Sequence, residues 1–241
     1  MWAFSRVCSV VGGASSLVFG VWGDLNNSCI DTEKAFGKPH KGDVGPPPSN
    51  LLTVGGEKTL EDLTHPDLEK LAKKLGKEPW EIARAAVAVM IKPTQSDLEL
   101  FLAKRAEADD DPWSGDVAFP GGKKTPQDVD LVATVVREVM EETGIDLRGV
   151  KPLGFMEPLY SMVRKDLAVQ PVIYVLDNYP RVRLNYELTR FFWVDLEELR
   201  KGRSEASVKG WEGPVFMVQG EVVWGLTYRM LEKLLSLLEE D

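Results

Sequence analysis

The stretch REVMEETG, residues 137–144, sets three glutamates and an arginine within eight positions near the middle of a 241-residue chain. It closes a segment in which Val132, Val135, Val136, Val139 and Met140 recur at intervals of three and four, a spacing that predicts a helix over 129–143 with one buried face. Gly144 follows and suits a left-handed C-terminal cap. On that helix Glu138, Glu141 and Glu142 share one edge. Each like-charged pair costs such an edge about 0.2–0.5 kcal/mol unless a cation offsets it. No lysine lies between Val129 and Gly144, and Arg137 alone does not balance three carboxylates. The helix dipole also disfavours negative charge near a C-terminus. Carboxylates are hard oxygen donors suited to Mg2+ or Mn2+. Spacing and charge therefore leave two readings open: a metal site, or a solvated edge with one salt bridge.

Working outward, AAVAVMIKP and LELFLAKR (98–105) read as two strands joined by the polar turn TQSD. ADDDPWSGD (108–116) is a loop, and VAFPGGKKTPQD (117–128) is a short strand running into a glycine and proline turn. After the central helix, KPLGFMEPLY, LAVQPVIYVLD (167–177) and RFFWVDL (190–196) read as strands, and PVFMVQG and EVVWG bracket a tight turn. GLTYRMLEKLLSLLEE (225–240) closes the chain as an amphipathic helix. Upstream, TLEDLTHPDLEKLAKKLG predicts a helix around 66–75, and PWEIARAA another that starts at Pro79, where a first helical turn tolerates proline. Strands interrupted by a central helix and closed by another predict an α/β fold, a mixed sheet with helices on both faces.

With 44% hydrophobic residues the chain supports one sizeable core plus extensions. Its formal charge of -9 argues against a surface that grips nucleic acid, and no basic stripe with interleaved aromatics occurs. Bound cations reconcile such acidity with a phosphate substrate. The apolar run 7–22 is diluted by Ser and Gly and shorter than a spanning helix. Residues 1–57 therefore read as an extension, with GDVGPPPSN as linker, and 58–241 as the domain, in a cytoplasmic protein without a membrane role. Cys8 and Cys29 both fall in the extension, and two histidines supply little for metal or serine-histidine chemistry.

The segment GKKTPQDVDLVATVVREVMEETGI, residues 122–145, resembles the signature of the Nudix hydrolases. That pattern is a glycine, an acid about six positions on, then Arg-Glu, an apolar residue, any residue, Glu-Glu, any residue, Gly and an apolar residue. Arg137, Glu138, Val139, Glu141, Glu142, Gly144 and Ile145 match in order. The stretch before Arg137 is one residue longer than the common pattern, and Asp128 or Asp130 stands for the early acid. The resemblance implies an α/β/α sandwich with a mixed central sheet. It implies that Glu138, Glu141 and Glu142 hold Mg2+ or Mn2+ against diphosphate oxygens and that Arg137 orients the glutamates. Gly121 and Gly122 would form a loop that lets backbone approach the site. The general base would come from within the signature, as Glu141, or from a later loop, where Glu187 is the candidate and Glu157 and Glu212 are alternatives.

FLAKRA (101–106), GDVAFPGGKK (115–124) and the tail PVFMVQGEVVWGLTYRML resemble the Nudix subfamily that hydrolyses coenzyme A and its acyl derivatives. An arginine of that pattern is absent where Asp109, Asp110 and Asp111 stand. Lys104 and Arg105 end a strand near the expected site, where they would reach phosphate or form salt bridges with the acidic loop, and Trp113 would stack on a base or anchor its loop against the core. Trp224, Tyr228 and His65 read as packing or local structural residues. The expected partner is a small nucleoside diphosphate derivative, with a homodimer compatible with the family. ADP-ribose, a dinucleotide or a nucleoside triphosphate stays open as substrate, as does a binding or regulatory domain without turnover.

Overall fold

The computed structural model describes residues 65–109 and 111–239. The N-terminal extension, its two cysteines and the expected domain start at residue 58 lie outside the described residues. The chain runs α1 (Pro66–Lys74), β1 (Ala85–Pro93), β2 (Leu98–Arg105), β3 (Val117–Ala118), β4 (Gly121–Lys123) and α2 (Leu131–Thr143). It continues through β5 (Gly154–Phe155), β6 (Leu159–Tyr160), β7 (Ala168–Val175), β8 (Leu188–Asp195) and α3 (Leu196–Lys201). A hairpin pair, β9 (Arg203–Val208), β10 (Trp211–Val218) and β11 (Glu221–Val223), leads into α4 (Gly225–Glu239).

The larger sheet is mixed. β1 lies parallel to β7 from Ala85↔Val169 to Ile91↔Val175, and the other pairings are antiparallel. One face carries Ala86, Ala88, Met90 and Phe101 against Leu131, Val135 and Val139 of α2. The opposite face carries Val89, Ile91, Leu100 and Leu102 against apolar residues of α1, α3 and α4. Alternate residues of one strand thus feed two cores, as a pleated sheet covered on both faces requires. The expected α/β/α sandwich is what forms.

α2 shows why the central stretch folds as it does. Asp130 caps it, its carboxylate accepting from the Ala133 N–H at 2.7 Å, so the helix starts at Leu131 and not at Val129. Gly144, at φ 68°, ends it with its N–H on the Met140 carbonyl. β1 does the positioning. Its last residues pair with β2 and its first residues pair with β4, so β1 and β2 diverge along their length. The segment β3–β4 fills that divergence, and the Ala88 N–H donates to the Pro120 carbonyl at 2.8 Å.

Three expectations need correction. Residues 79–84 form turns and no helix: the Trp80 N–H donates to the Gln170 side chain, Ala83 closes on Trp80, and the Arg84 N–H donates to Ala168. The parallel register with β7 demands extended chain from Ala85, which leaves too little length for a helix. KPLGFMEPLY is two short strands on one edge of β7, separated by Met156 to Pro158. The small sheet β9–β10–β11 has one strand more than the sequence suggested, because β9 buries no residue fully and only Ala206 and Val208 at its end are half-buried, too short an alternation to read.

Tyr174 is buried in the core beside α2, and its hydroxyl has no hydrogen-bond partner among the described residues. Removing an unpaired buried hydroxyl while keeping the ring costs nothing in packing. Tyr174→Phe is therefore expected to keep or raise stability, by up to about 1 kcal/mol, in denaturant unfolding. A loss of that size would mean the hydroxyl is paired in solution.

Candidate active site

β4 runs as bare backbone between β1 and α2. A Cβ on Gly121, which sits at φ 148°, would lie 2.3 Å from the Ala86 carbonyl oxygen. One on Gly122 would lie 2.5 Å from the Glu138 carboxylate. At Gly121 only glycine permits this approach, while at Gly122 a Cβ would push the Glu138 side chain aside. With it, the Gly121 N–H donates to Glu142 Oε2 at 2.9 Å.

Arg137 organises the rest of the acidic edge. It makes a two-pronged pair with Asp128, Nε to Oδ1 and Nη2 to Oδ2, both at 2.9 Å. Its Nη1 meets Glu138 Oε1 at 2.9 Å and Glu141 Oε2 at 3.2 Å. Asp128 also accepts from Thr125 and Thr134. The two aspartates of the signature region therefore divide their work: Asp128 anchors Arg137 and Asp130 caps the helix. Hydrogen bonds from Arg137 hold the Asp128 carboxyl well below the usual carboxylate range, against burial.

The glutamates respond oppositely. Burial pushes the Glu142 carboxyl up to about 7, with Glu138 and Glu187 adding to the rise and the Gly121 N–H and Arg105 opposing it. Burial raises Glu138 as well, opposed by Arg137 and reinforced by Glu141 and Glu187. Negative charge is thus crowded into the lining of a cavity of about 520 Å³ that takes in Glu138, Glu142, Glu187 and Arg105.

Among the described residues, no three acidic, histidine or cysteine side chains stand as a ready cage for a cation. The donor set nevertheless fits a hard divalent ion: mutually repelling carboxylates, Glu142 buried, Glu138 half-buried and Glu141 exposed, with backbone kept close by two glycines. Such an ion would relieve the charge that burial now penalises.

The other sequence-derived positions separate. Arg105 reaches the cavity, where Asp111 neutralises it through Nε and Nη2 at 3.1 and 2.7 Å. Lys104, its neighbour on the opposite side of the strand, is not brought there; its ammonium pairs with Glu221 at 2.7 Å. A register shift in the β2–β8 pairing falls between these two residues, a place where strands re-aim side chains. Trp113 and Glu187 line the cavity. Glu157 pairs with Lys233 outside it, and Glu212 is exposed on β10. His65 caps α1, accepting from the Asp67 N–H. Trp224, read as packing, lines the cavity beside Trp211, which the sequence reading did not single out. Its placement depends on the small sheet, whose first strand carries no pattern to reveal it.

The sequence profile of the NUDIX domain matches residues 82–215, more than half of the chain. The chain belongs to the Nudix hydrolase family. Two similar relatives are an uncharacterized Nudix hydrolase NudL of Yersinia enterocolitica, 29% identical over 136 residues, and the mitochondrial coenzyme A diphosphatase NUDT8 of Mus musculus, 31% identical over 134 residues. These alignments cover 50% and 52% of this chain and span only 65% and 63% of the relatives' lengths. The Homo sapiens NUDT8 aligns at 30% identity over 65% of this chain and 70% of its own length.

The raised Glu142 carboxyl has a consequence for the metal-free protein. Its ordinary value is about 4.3, so the folded state holds the proton more tightly than the unfolded chain. That contribution favours folding in full below about pH 4 and is lost as pH rises through about 7. With a chelator present, thermal stability is expected to fall between pH 5 and pH 8. Glu142→Gln should remove a part worth on the order of 1–3 kcal/mol. An identical pH dependence in both proteins would show that Glu142 titrates normally.

Proposed function

We propose that the protein is a divalent-cation-dependent diphosphatase, with coenzyme A or an acyl derivative as substrate. The observation that carries this reading is the acidic edge of α2, where Glu138 and Glu142 line a nucleotide-sized cavity over the Gly121–Gly122 backbone and Arg137 ties the exposed Glu141 to Glu138. The name of the mammalian relatives supports the substrate, as do FLAKRA and GDVAFPGGKK. In this reading 58–241 is the catalytic domain.

Glu138, Glu141 and Glu142 would hold Mg2+ or Mn2+, which when bound neutralises phosphoryl charge and acidifies water. Arg137 ties Glu138 and Glu141 to one shared Nη1. Glu187, on the loop entering β8, faces the same charges and takes the proton of the attacking water, Glu141 being the alternative within the signature. Arg105 meets a phosphate oxygen by exchanging its pairing with Asp111. Cleavage of the diphosphate in coenzyme A would release 4'-phosphopantetheine and adenosine 3',5'-bisphosphate. For the compartment, the cytoplasmic expectation competes with the mitochondrial one carried in the relatives' name; none of the helices among the described residues is long and apolar enough to cross a membrane.

Product-resolved hydrolysis tests the reading on coenzyme A, ADP-ribose, NADH and nucleoside triphosphates with Mg2+ or Mn2+. Turnover of coenzyme A is expected to dominate, and Glu142→Gln to lower kcat/KM by about 100-fold or more, the scale for losing charge stabilisation at a reacting phosphate. Preference for another diphosphate would keep the site and replace the substrate. Ligand binding without turnover across the panel would make this a regulatory domain.

A further inference from the structure

The cavity that takes in the glutamates is lined by two chemically distinct sets of apolar side chains. One set is aliphatic: Met162, Val163, Leu167, Leu226 and Met230. The other is aromatic and assembled from three separate segments: Trp113 in the loop after β2, Trp211 at the start of β10 and Trp224 just before α4. All three tryptophans are half-buried. Phe101 and Phe216, which serve packing alone, are fully buried. The Trp211 and Trp224 rings lie 5.6 Å apart at 37°. The Trp224 indole N–H donates to Asp116 Oδ1 at 3.0 Å, which satisfies its one polar group and leaves ring surface for the cavity.

A single cation ties this wall together. Lys209 sits at φ 50° in the turn between β9 and β10, followed by Gly210 at φ 79°. Its ammonium donates to Asp116 Oδ1 at 2.7 Å and to the Ser114 carbonyl at 2.6 Å, and lies 5.8 Å from the Trp224 ring centre. The turn of the small sheet is thereby clasped to the loop that carries Trp113. An aliphatic group gains equally from any apolar surface, the aliphatic lining included. Clustered indole rings favour a flat π-system.

We propose that Trp211 and Trp224, with Trp113, form the receptor for the planar base of a nucleotide-containing substrate, and that Lys209 is the positioning residue that clasps this receptor shut. The diphosphatase reading supplies the substrate class; the receptor itself is testable without turnover. Calorimetric titration of the full chain with AMP and with ribose 5-phosphate, which keeps the phosphate and lacks the base, isolates the ring's contribution. AMP is expected to bind at least about tenfold more tightly, and Trp211→Leu to weaken AMP at least about fivefold without weakening ribose 5-phosphate. Should that variant not fold, Trp113→Leu, on a different segment, carries the same expectation. Lys209→Met is expected to raise KM for a base-bearing diphosphate at least about threefold with kcat within about twofold, and Lys209→Arg to restore it. Equal binding of AMP and ribose 5-phosphate, or AMP binding indifferent to Trp211 in a folded variant, overturns the proposal even if hydrolysis is intact. Base discrimination without any hydrolysis upholds the receptor and removes only the diphosphatase reading.

Discussion

The absence of two Cβ atoms decides where this site is. Gly121 presses backbone onto β1 at a distance no side chain allows, and Gly122 leaves room for the Glu138 carboxylate. β4 can then take the register partners that β2 gives up, the two long strands diverge, and a cavity opens at the divergence. The same contact delivers a backbone N–H to Glu142, a residue only 4% exposed, whose burial would otherwise find no donor on this side. Fold and site therefore share one constraint. Enlarging Gly121 would disturb sheet register and the N–H held on Glu142 together, and enlarging Gly122 would displace the Glu138 carboxylate.

Charge is distributed around that wedge with evident asymmetry. Arg137 is the one cation on the acidic edge, and much of its charge is already met by Asp128, which is nearly buried and bonded on both oxygens. What is left for Glu138 and Glu141 is a shared Nη1. Glu142 receives a neutral N–H only. The edge thus stays electronegative and partly dry, an expensive arrangement for a surface helix and a useful one for a hard cation meeting a diphosphate. Asp128 locks the arginine as a fixed support instead of leaving it to neutralise the glutamates.

The parts legible in the sequence are those with a local period or a local cap. α2, β1, β2, β7 and α4 announce themselves by spacing, and Gly144 by its position after the last periodic residue. The cluster of acids was legible as repulsion, and the resemblance of the 122–145 segment turned that repulsion into a site. What escaped depends on partners distant in sequence. Pro79 signals a helix start, yet the strand pairing of Ala85 with Val169 overrides it. β9 buries no residue fully, and only Ala206 and Val208 alternate. Lys104 and Arg105 look interchangeable as letters, but the pleat sends one to Glu221 and the other to the cavity. Whether Asp128 or Asp130 supports the signature could not be told by counting; the fold separates them into an arginine anchor and a helix cap.

The acidic loop after β2 shows how far charge counting misleads without geometry. Asp109, Asp110 and Asp111 stand where the subfamily resemblance expects a basic residue, and as letters they repel a phosphate. In the fold Asp111 is committed to Arg105, and its carboxyl is held below its usual range because hydrogen bonds from Arg105 and the Trp113 N–H outweigh burial. The loop therefore presents a neutralised pair, with Trp113 fixed to the same carboxylate. In the proposed reading, a phosphate arriving beside Arg105 would exchange one anion for another at the guanidinium and free Asp111, the residue that holds the Trp113 backbone. Recognition of the phosphate and the placement of Trp113 would then be coupled through one carboxylate.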